Sequence, residues 1–298
     1  MGTGGAVTTF LSAPQASPGD VAARYAVLGI PQGIPYTQEQ LTASVCDAPR
    51  AVRARSARFG RMLGHHDFDL GGALTANEPL SLSDCGDVTA AHAPAAIKTI
   101  LQRGALPIVL GGDDSITALS LRGFEGRGPL TVLQIDAHID YRDEVQGVRE
   151  GYSSPMRRAA EMPWVKRIVH CGIRGIGSAR PDDVRDTLAR GNVIFTAKEV
   201  HANGIERVLQ EFPKGETCYI AFDCDGVDPA VMPGTSAPLP GGLSFDDAAA
   251  LLTGLARRGK VAGISFAEYY PSLDINGITA LAIVRLIVNL LGVHESRR

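Results

Sequence analysis

Short apolar runs alternate with helix-patterned segments along almost the whole chain. RYAVLGI (24–30), ALPIVLGG (105–112), TVLQI (131–135), RIVHCGIRGIG (167–177), NVIFT (192–196), CYIAFD (218–223) and VAGISFAEYYP (261–271) read as strands. Between them, DAPRAVRARSARFGRML (47–63), DVTAAHAPAAIKTILQRG (87–104), ITALSLRGF (116–124), MRRAAEM (156–162), PDDVRDTLARG (181–191), GIERVLQEF (204–212) and SFDDAAALLTGLARRG (244–259) carry helical spacing or capping signals. ITALAIVRLIVNLLG closes the chain as an apolar helix. Runs that are apolar without alternation suit strands buried on both faces, so the pattern predicts a mainly parallel sheet covered by helices on both sides. With no composition break and no internal repeat, one α/β domain over residues 23–298 is expected. MGTGGAVTTFLSAPQASPGD lacks the basic start and long apolar core of a signal peptide and reads, to residue 22, as a flexible arm.

Composition narrows the function. The 298 residues are 45% apolar and 20% charged with a net charge of −3, which leaves no footprint for nucleic acid or an anionic membrane. Uninterrupted apolar runs stay below the ~18 residues of a membrane span. Cys46, Cys85, Cys171, Cys218 and Cys224 form no CxxC pair and read as reduced thiols of a cytoplasmic protein. His65, His66 and His92 read as surface or packed residues, and His170, in mid-strand, as a core histidine.

The chemistry gathers where the strands end. Asp136, His138 and Asp140 follow TVLQI at a spacing of two, so on extended chain they point the same way. Asp223 and Asp225 repeat the arrangement after CYIAF, Asp113 and Asp114 follow ALPIVLGG, and Glu268 ends the last strand. In open parallel sheets ligands collect outside the carboxyl ends of the strands. Bringing several carboxylates together there is costly unless a cation lies between them. The pattern points to a metalloenzyme.

GGDDS (111–115), DAHID (136–140) and FDCDGVDPAVMPGTSAPLPGGLS (222–244) resemble the arginase–agmatinase (ureohydrolase) family, agmatinase or guanidinobutyrase-like branch, over about residues 24–293. The resemblance implies a three-layer α/β/α domain, two Mn²⁺ ions bridged by hydroxide, and hydrolysis of a guanidinium to urea and an amine. It implies Asp136, His138, Asp140, Asp223 and Asp225 as metal ligands, with Asp140 also holding the hydroxide and Glu268 receiving the guanidinium. Asp114, at the sixth ligand position, is expected to ligate through oxygen, the alternative being loss of that metal. Chemistry agrees, because guanidinium carbon is a poor electrophile and paired cations supply hydroxide at neutral pH. Oxygen-rich donors with one imidazole suit Mn²⁺, and Ni²⁺ fits them too. The resemblance also implies a trimer or hexamer.

Three departures mark this sequence. The family's GGDHS is GGDDS here, with Asp114 at the position of a ligand histidine. Five carboxylates around two dications then leave a charge of −1 before hydroxide. A family SHGTPFRRA-like segment aligns with GYSSPMRRA, placing Tyr152 where a proton-shuttling His belongs; a phenol of pKa ~10 shuttles poorly at pH 7. The loop that often reads RPGARFGPRAIR is TQEQLTASVCDAPRAVR (37–53). These differences argue against a routine arginase or agmatinase and fit a divergent substrate or a subunit role. The substrate expected is a linear guanidino compound of agmatine or guanidinobutyrate type, its tail held by loops 31–46 and 141–155. Two alternatives stand beside it: a weakly active subunit paired with a paralogous chain, and an amidohydrolase cleaving another C–N bond.

Overall fold

The computed structural model describes residues 8–34, 36, 44–75 and 78–296. Eight strands build one sheet: β1 (Tyr25–Ile30), β2 (Leu82–Asp87), β3 (Leu106–Gly111), β4 (Leu130–Ile135), β5 (Val165–Ile173), β6 (Val193–Thr196), β7 (Thr217–Asp223) and β8 (Lys260–Ala267). Their order is β2-β1-β3-β8-β7-β4-β5-β6, and every pairing is parallel. β1, β3 and β4 are buried at every position, as strands covered on both faces must be.

The helices among the described residues are α1 (Ala48–Gly60), α2 (Ala93–Gln102), α3 (Ser115–Arg122), α4 (Pro155–Ala160), α5 (Pro181–Ala189), α6 (Ala197–Asn203), α7 (Glu206–Leu209), α8 (Phe245–Arg258) and α9 (Ile278–Ser296). Two apolar clusters form the two faces. One joins α1, α8 and α9 to the sheet through residues such as Val52, Leu252 and Ile287; the other joins α2, α3 and α4 through Ile97, Leu121 and Met156. This is the three-layer α/β/α arrangement that the sequence predicts. α9 is long and apolar enough to cross a bilayer, but two-thirds of its most apolar window is buried in the first cluster. All five cysteines are free thiols.

Three expectations change. Residues 8–22 are anchored at separate points, not a free arm: Phe10, Leu11, Ala13 and Val21 are buried, and the Phe10 amide donates to buried Asp84 at 2.8 Å. These apolar residues and a fixed amide acceptor outweigh the polar composition around them; residues 1–7 lie outside the described set. The helix expected from Asp87 begins at Ala93, because Asp87 ends β2 and takes an ion pair from Arg53. β2 itself, LSDCGD, shows no apolar pattern; pairing with β1 and the Arg53–Asp84 contact hold it. The third change is α6, whose start is fixed by reciprocal Thr196 and Glu199 hydrogen bonds.

Candidate metal centre

The four strands that deliver acidic residues, β3, β8, β7 and β4, are consecutive neighbours in the middle of the sheet. Their carboxyl ends therefore open side by side, and the sequence-predicted residues meet there. Ligand atoms of Asp114, Asp136, Asp140 and Asp223 all lie within 4.8 Å of one another, as do those of Asp136, His138 and Asp225. Asp136 belongs to both groups, so the two donor sets adjoin through a shared carboxylate. All but half-buried His138 are buried. Glu268 stands beside them, its Oε1 accepting the Asp114 amide at 2.8 Å and its other oxygen the Ser236 hydroxyl at 3.3 Å.

Backbone groups aim these side chains. The amide of His138 donates to Asp136 Oδ1 at 2.6 Å, that of Ala137 to Asp225 Oδ1 at 3.0 Å, and that of Asp225 to Asp223 Oδ1 at 2.8 Å. Asp140 (φ 42°) and Glu268 (φ 58°) both occupy the left-handed region, which L-residues rarely adopt outside sites that require it. Asp113 belongs to neither donor set; it accepts from the Ile34 amide and the Ser115 hydroxyl, bracing the loop after β1.

The electrostatics are those of a cation site. Burial, reinforced by neighbouring carboxylates, pushes Asp114, Asp140 and Asp223 well above the ordinary carboxylate range. Burial and the charge of Asp225 raise Asp136 to about 6; burial and Asp113 raise Glu268 to about 8. Burial opposes protonation of His138, but hydrogen bonds to Asp136 and Asp225 outweigh it and raise the imidazole to about 12. His138 Nδ1 lies 3.2 Å from Asp225 Oδ2, where its charge partly balances the acids and keeps Asp225 low despite burial. Oxygen donors in this number, with one imidazole, suit two Mn²⁺ or Ni²⁺ ions. Asp114 is placed to serve as the oxygen donor at the substituted position; Thr117 Oγ1 donates to its Oδ1.

Above the cluster opens a cavity of about 330 Å³ whose wall includes Tyr36, Arg142, Tyr152, Ser178, Ser236 and Glu268. Tyr152, singled out by the alignment of GYSSPMRRA, lies on this wall with its ring centroid 4.5 Å from that of Tyr36. Tyr36 was not expected from the sequence, which gives no local signal for it; its hydroxyl accepts the Ser153 amide at 2.8 Å. Arg142 is committed to the wall itself, donating to the carbonyls of Ser178 and Glu144 and pairing with Asp183 at 3.3 Å. Gly177 is a second unexpected site residue, since a Cβ there would lie 2.4 Å from His138 Cδ2. Of the expected tail loops, residues 35 and 37–43 fall outside the described set. A larger cavity of about 440 Å³ lies at the amino ends of the strands near Arg24, Arg127 and Lys260. It contains none of the acidic groups, so size yields to chemistry in locating the site.

The family model for arginases matches residues 23–292. The chain belongs to the arginase family. Among curated relatives, this arginase-family chain is 30% identical over 258 residues to human mitochondrial guanidino acid hydrolase, covering 82% of this chain and 71% of that protein. It is 29% identical to the guanidinobutyrase of Pseudomonas aeruginosa, covering 96% and 92%. The solved proclavaminate amidino hydrolase of Streptomyces clavuligerus superposes with a TM-score of 0.85 at 27% identity, covering 98% of each chain. The resemblance carried by the three sequence motifs thus extends through the whole domain.

Proposed function

We propose that this arginase-family chain is a metal-dependent amidinohydrolase that splits a small linear guanidino compound and water into urea and an amine. The observation that carries the reading is the pair of adjoining donor sets sharing Asp136 at the floor of a cavity, with Glu268 beside them. The relatives named guanidinobutyrase and guanidino acid hydrolase support a guanidinium as the reacting group. In this reading Asp114, Asp136, Asp140 and Asp223 hold one Mn²⁺ or Ni²⁺ ion, and Asp136, His138 and Asp225 form the donor set of the second. When bound, the cations supply hydroxide strength at neutral pH and an electrophilic environment for the attacked carbon.

The chain's own residues do the rest. Glu268, ionised when cations sit beside it, pairs with the cationic guanidinium and fixes its carbon over the nucleophile. Asp140 takes one proton from the attacking water and passes it to the departing nitrogen, so the C–N bond breaks to an amine and an O-protonated urea. The second water proton then leaves the urea oxygen for the amine, and the products are urea and an alkylammonium ion. Tyr152 donates a hydrogen bond from the cavity wall and does not act as a shuttle. The cavity, with Tyr36 and Tyr152 on its wall, suits an agmatine- or guanidinobutyrate-sized molecule. The same reading places the protein in the cytoplasm, consistent with its free thiols, and assembles it as a trimer or hexamer, which light scattering tests directly.

The deciding experiment is urea release across a panel of agmatine, 4-guanidinobutyrate and related guanidines, with Mn²⁺ and separately Ni²⁺ added. Turnover with urea as product supports the proposal. Ammonia without urea would mean cleavage of another C–N bond. A second reading, a non-catalytic or weakly active subunit completed by a paralogous chain, is motivated by Asp114 and Tyr152, each in place of a family histidine. Ordinary turnover by the purified chain alone would end it.

A further inference from the structure

Beneath the acidic cluster, on the side away from the cavity, a row of buried polar residues runs from the sheet into α5. Gln134 on β4 is 1% exposed, His170 on β5 and Thr187 on α5 are 0%, and Asn192, just before β6, is 5%. Gln134 Nε2 lies 2.5 Å from Asp136 Oδ2. Gln134 Oε1 meets His170 Nδ1, His170 Nε2 lies 3.1 Å from Thr187 Oγ1, and Asn192 Nδ2 donates to Thr187 Oγ1 at 2.9 Å. Asn192 is itself fixed, because its Oδ1 accepts the Ile168 amide at 2.8 Å.

Donor and acceptor rules give this row one direction. A carboxylate only accepts, so the amide nitrogen of Gln134 must face Asp136 and its oxygen must face His170. His170 then donates from Nδ1, which leaves Nε2 unprotonated and able only to accept. Thr187 supplies that hydrogen and receives one from Asn192. Burial holds His170 neutral by lowering its pKa to about 3, in keeping with a single ring proton. Each link points the same way, from Asn192 through Thr187, His170 and Gln134 to Asp136.

We propose that Gln134, His170, Thr187 and Asn192 are positioning residues that form a one-way hydrogen-bond chain fixing the carboxylate shared by both donor sets. The proposal rests on reading the acidic cluster as a metal centre. Asp136 is the group whose rotation would disturb both ions at once, and its Oδ1 is already held by the His138 amide. Gln134 holds the opposite oxygen. An Asp136 gripped at both oxygens presents fixed lone pairs to the two ions, and the cost of ordering it is met on folding, before metal arrives. The uncharged chain achieves this without adding another charge to a site already crowded with carboxylates.

The test uses Gln134→Met, which keeps the length and packing but cannot donate to Asp136, and Thr187→Val, which breaks the chain two links further out. Mn²⁺ affinity is measured by competition with a chelator and Mn²⁺ content by elemental analysis. The ring proton of His170 is located by nitrogen NMR on chelator-treated protein. Expected results are a 10- to 100-fold loss of Mn²⁺ affinity in Gln134→Met, in the range seen for such supporting residues, and a smaller loss in Thr187→Val. His170 should carry its proton on Nδ1 in the wild type and shift it to Nε2 in Gln134→Met, where Thr187 becomes the acceptor. Wild-type affinity in Gln134→Met, or an Nε2 proton in the wild type, would overturn the positioning role alone. Failure of the wild type to take up Mn²⁺ would overturn the metal reading and the positioning role together. Should Gln134→Met not fold, the Thr187→Val affinity and the wild-type proton position decide the matter.

Discussion

Replacing Asp114 by asparagine should shift the stability of the protein in opposite directions with and without metal. Asp114 is buried with Asp136, Asp140 and Asp223, their ligand atoms within 4.8 Å of each other. A pair of unit charges at that separation repels by about 3 kcal/mol at an effective dielectric constant near 20. The acids relieve part of this by retaining protons, which is why burial and the charge of Asp136 hold Asp114 far above its ordinary range. A carboxyl raised in the folded state contributes stability below its unfolded pKa of about 4 and loses it as pH rises through the folded value. Chelator-treated wild-type protein should therefore weaken as pH rises from about 5 to 8. Asparagine removes one charge yet keeps an oxygen to accept from Thr117. At about pH 8 the chelator-treated variant should gain roughly 1–3 kcal/mol, a rise of about 2–6 °C in midpoint for a domain of this size. With Mn²⁺ the order reverses, because a neutral amide is the poorer ligand and the stabilisation by bound metal falls. Thermal melts with chelator and with Mn²⁺, each at several pH values, measure both. A chelator-treated variant less stable than wild type at pH 8 would show that carboxylate crowding does not set the energetics of this site.

Three further outcomes follow from the geometry. Gly177→Ala should drive the His138 ring aside and lower Mn²⁺ affinity by about tenfold or more with an unchanged circular dichroism spectrum; calorimetry with undiminished affinity would contradict the contact. Arg53→Met strips the buried partner from Asp84 and should cost about 3–5 kcal/mol, read from urea midpoints, whereas adding Asp84→Asn, which removes the charge but keeps an oxygen for the Phe10 amide, should recover much of the loss. A loss no smaller in the double variant would mean that packing, and not the unpaired charge, sets the cost. Glu268→Gln should keep its Mn²⁺ but lose on the order of 100-fold in kcat/KM for a guanidine, since it removes the charge that pairs with the substrate. Loss of metal with activity would instead make Glu268 part of the centre's support.

Much of this molecule is legible in one dimension because its information is local. β1, β3, β4, β7 and β8 appear as apolar runs since parallel strands buried on both faces have no reason to alternate. Asp136, His138 and Asp140 announce themselves because spacing along an extended segment is also spacing in space. β2 is invisible, as its stability comes from Arg53 on a distant helix and from its neighbour strand. α6 was legible in principle: the Thr196 and Glu199 pair is a capping signature, although the helix is seven residues long. Tyr36 and Gly177 reach the site from loops far apart in the chain, and no local pattern joins them to it. The glycines at 175 and 177 hint at a close approach but do not say to what.

The last strand in the sequence takes a central place in the sheet. β8 lies between β3 and β7 and joins the trio β2-β1-β3 to the quartet β7-β4-β5-β6. Asp114 arrives with the first group, while Asp136, His138, Asp140, Asp223 and Asp225 arrive with the second. Such a layout gives the chain contacts of long sequence separation and couples assembly of the site to the docking of β8. Without residues 260–267 the trio and the quartet would each present an open edge, and nothing in the sheet would hold Asp114 opposite Asp223. Under the proposed metal reading, the full donor set forms only once β8 joins the two groups, and a chain lacking that strand would expose pairing-competent edges instead.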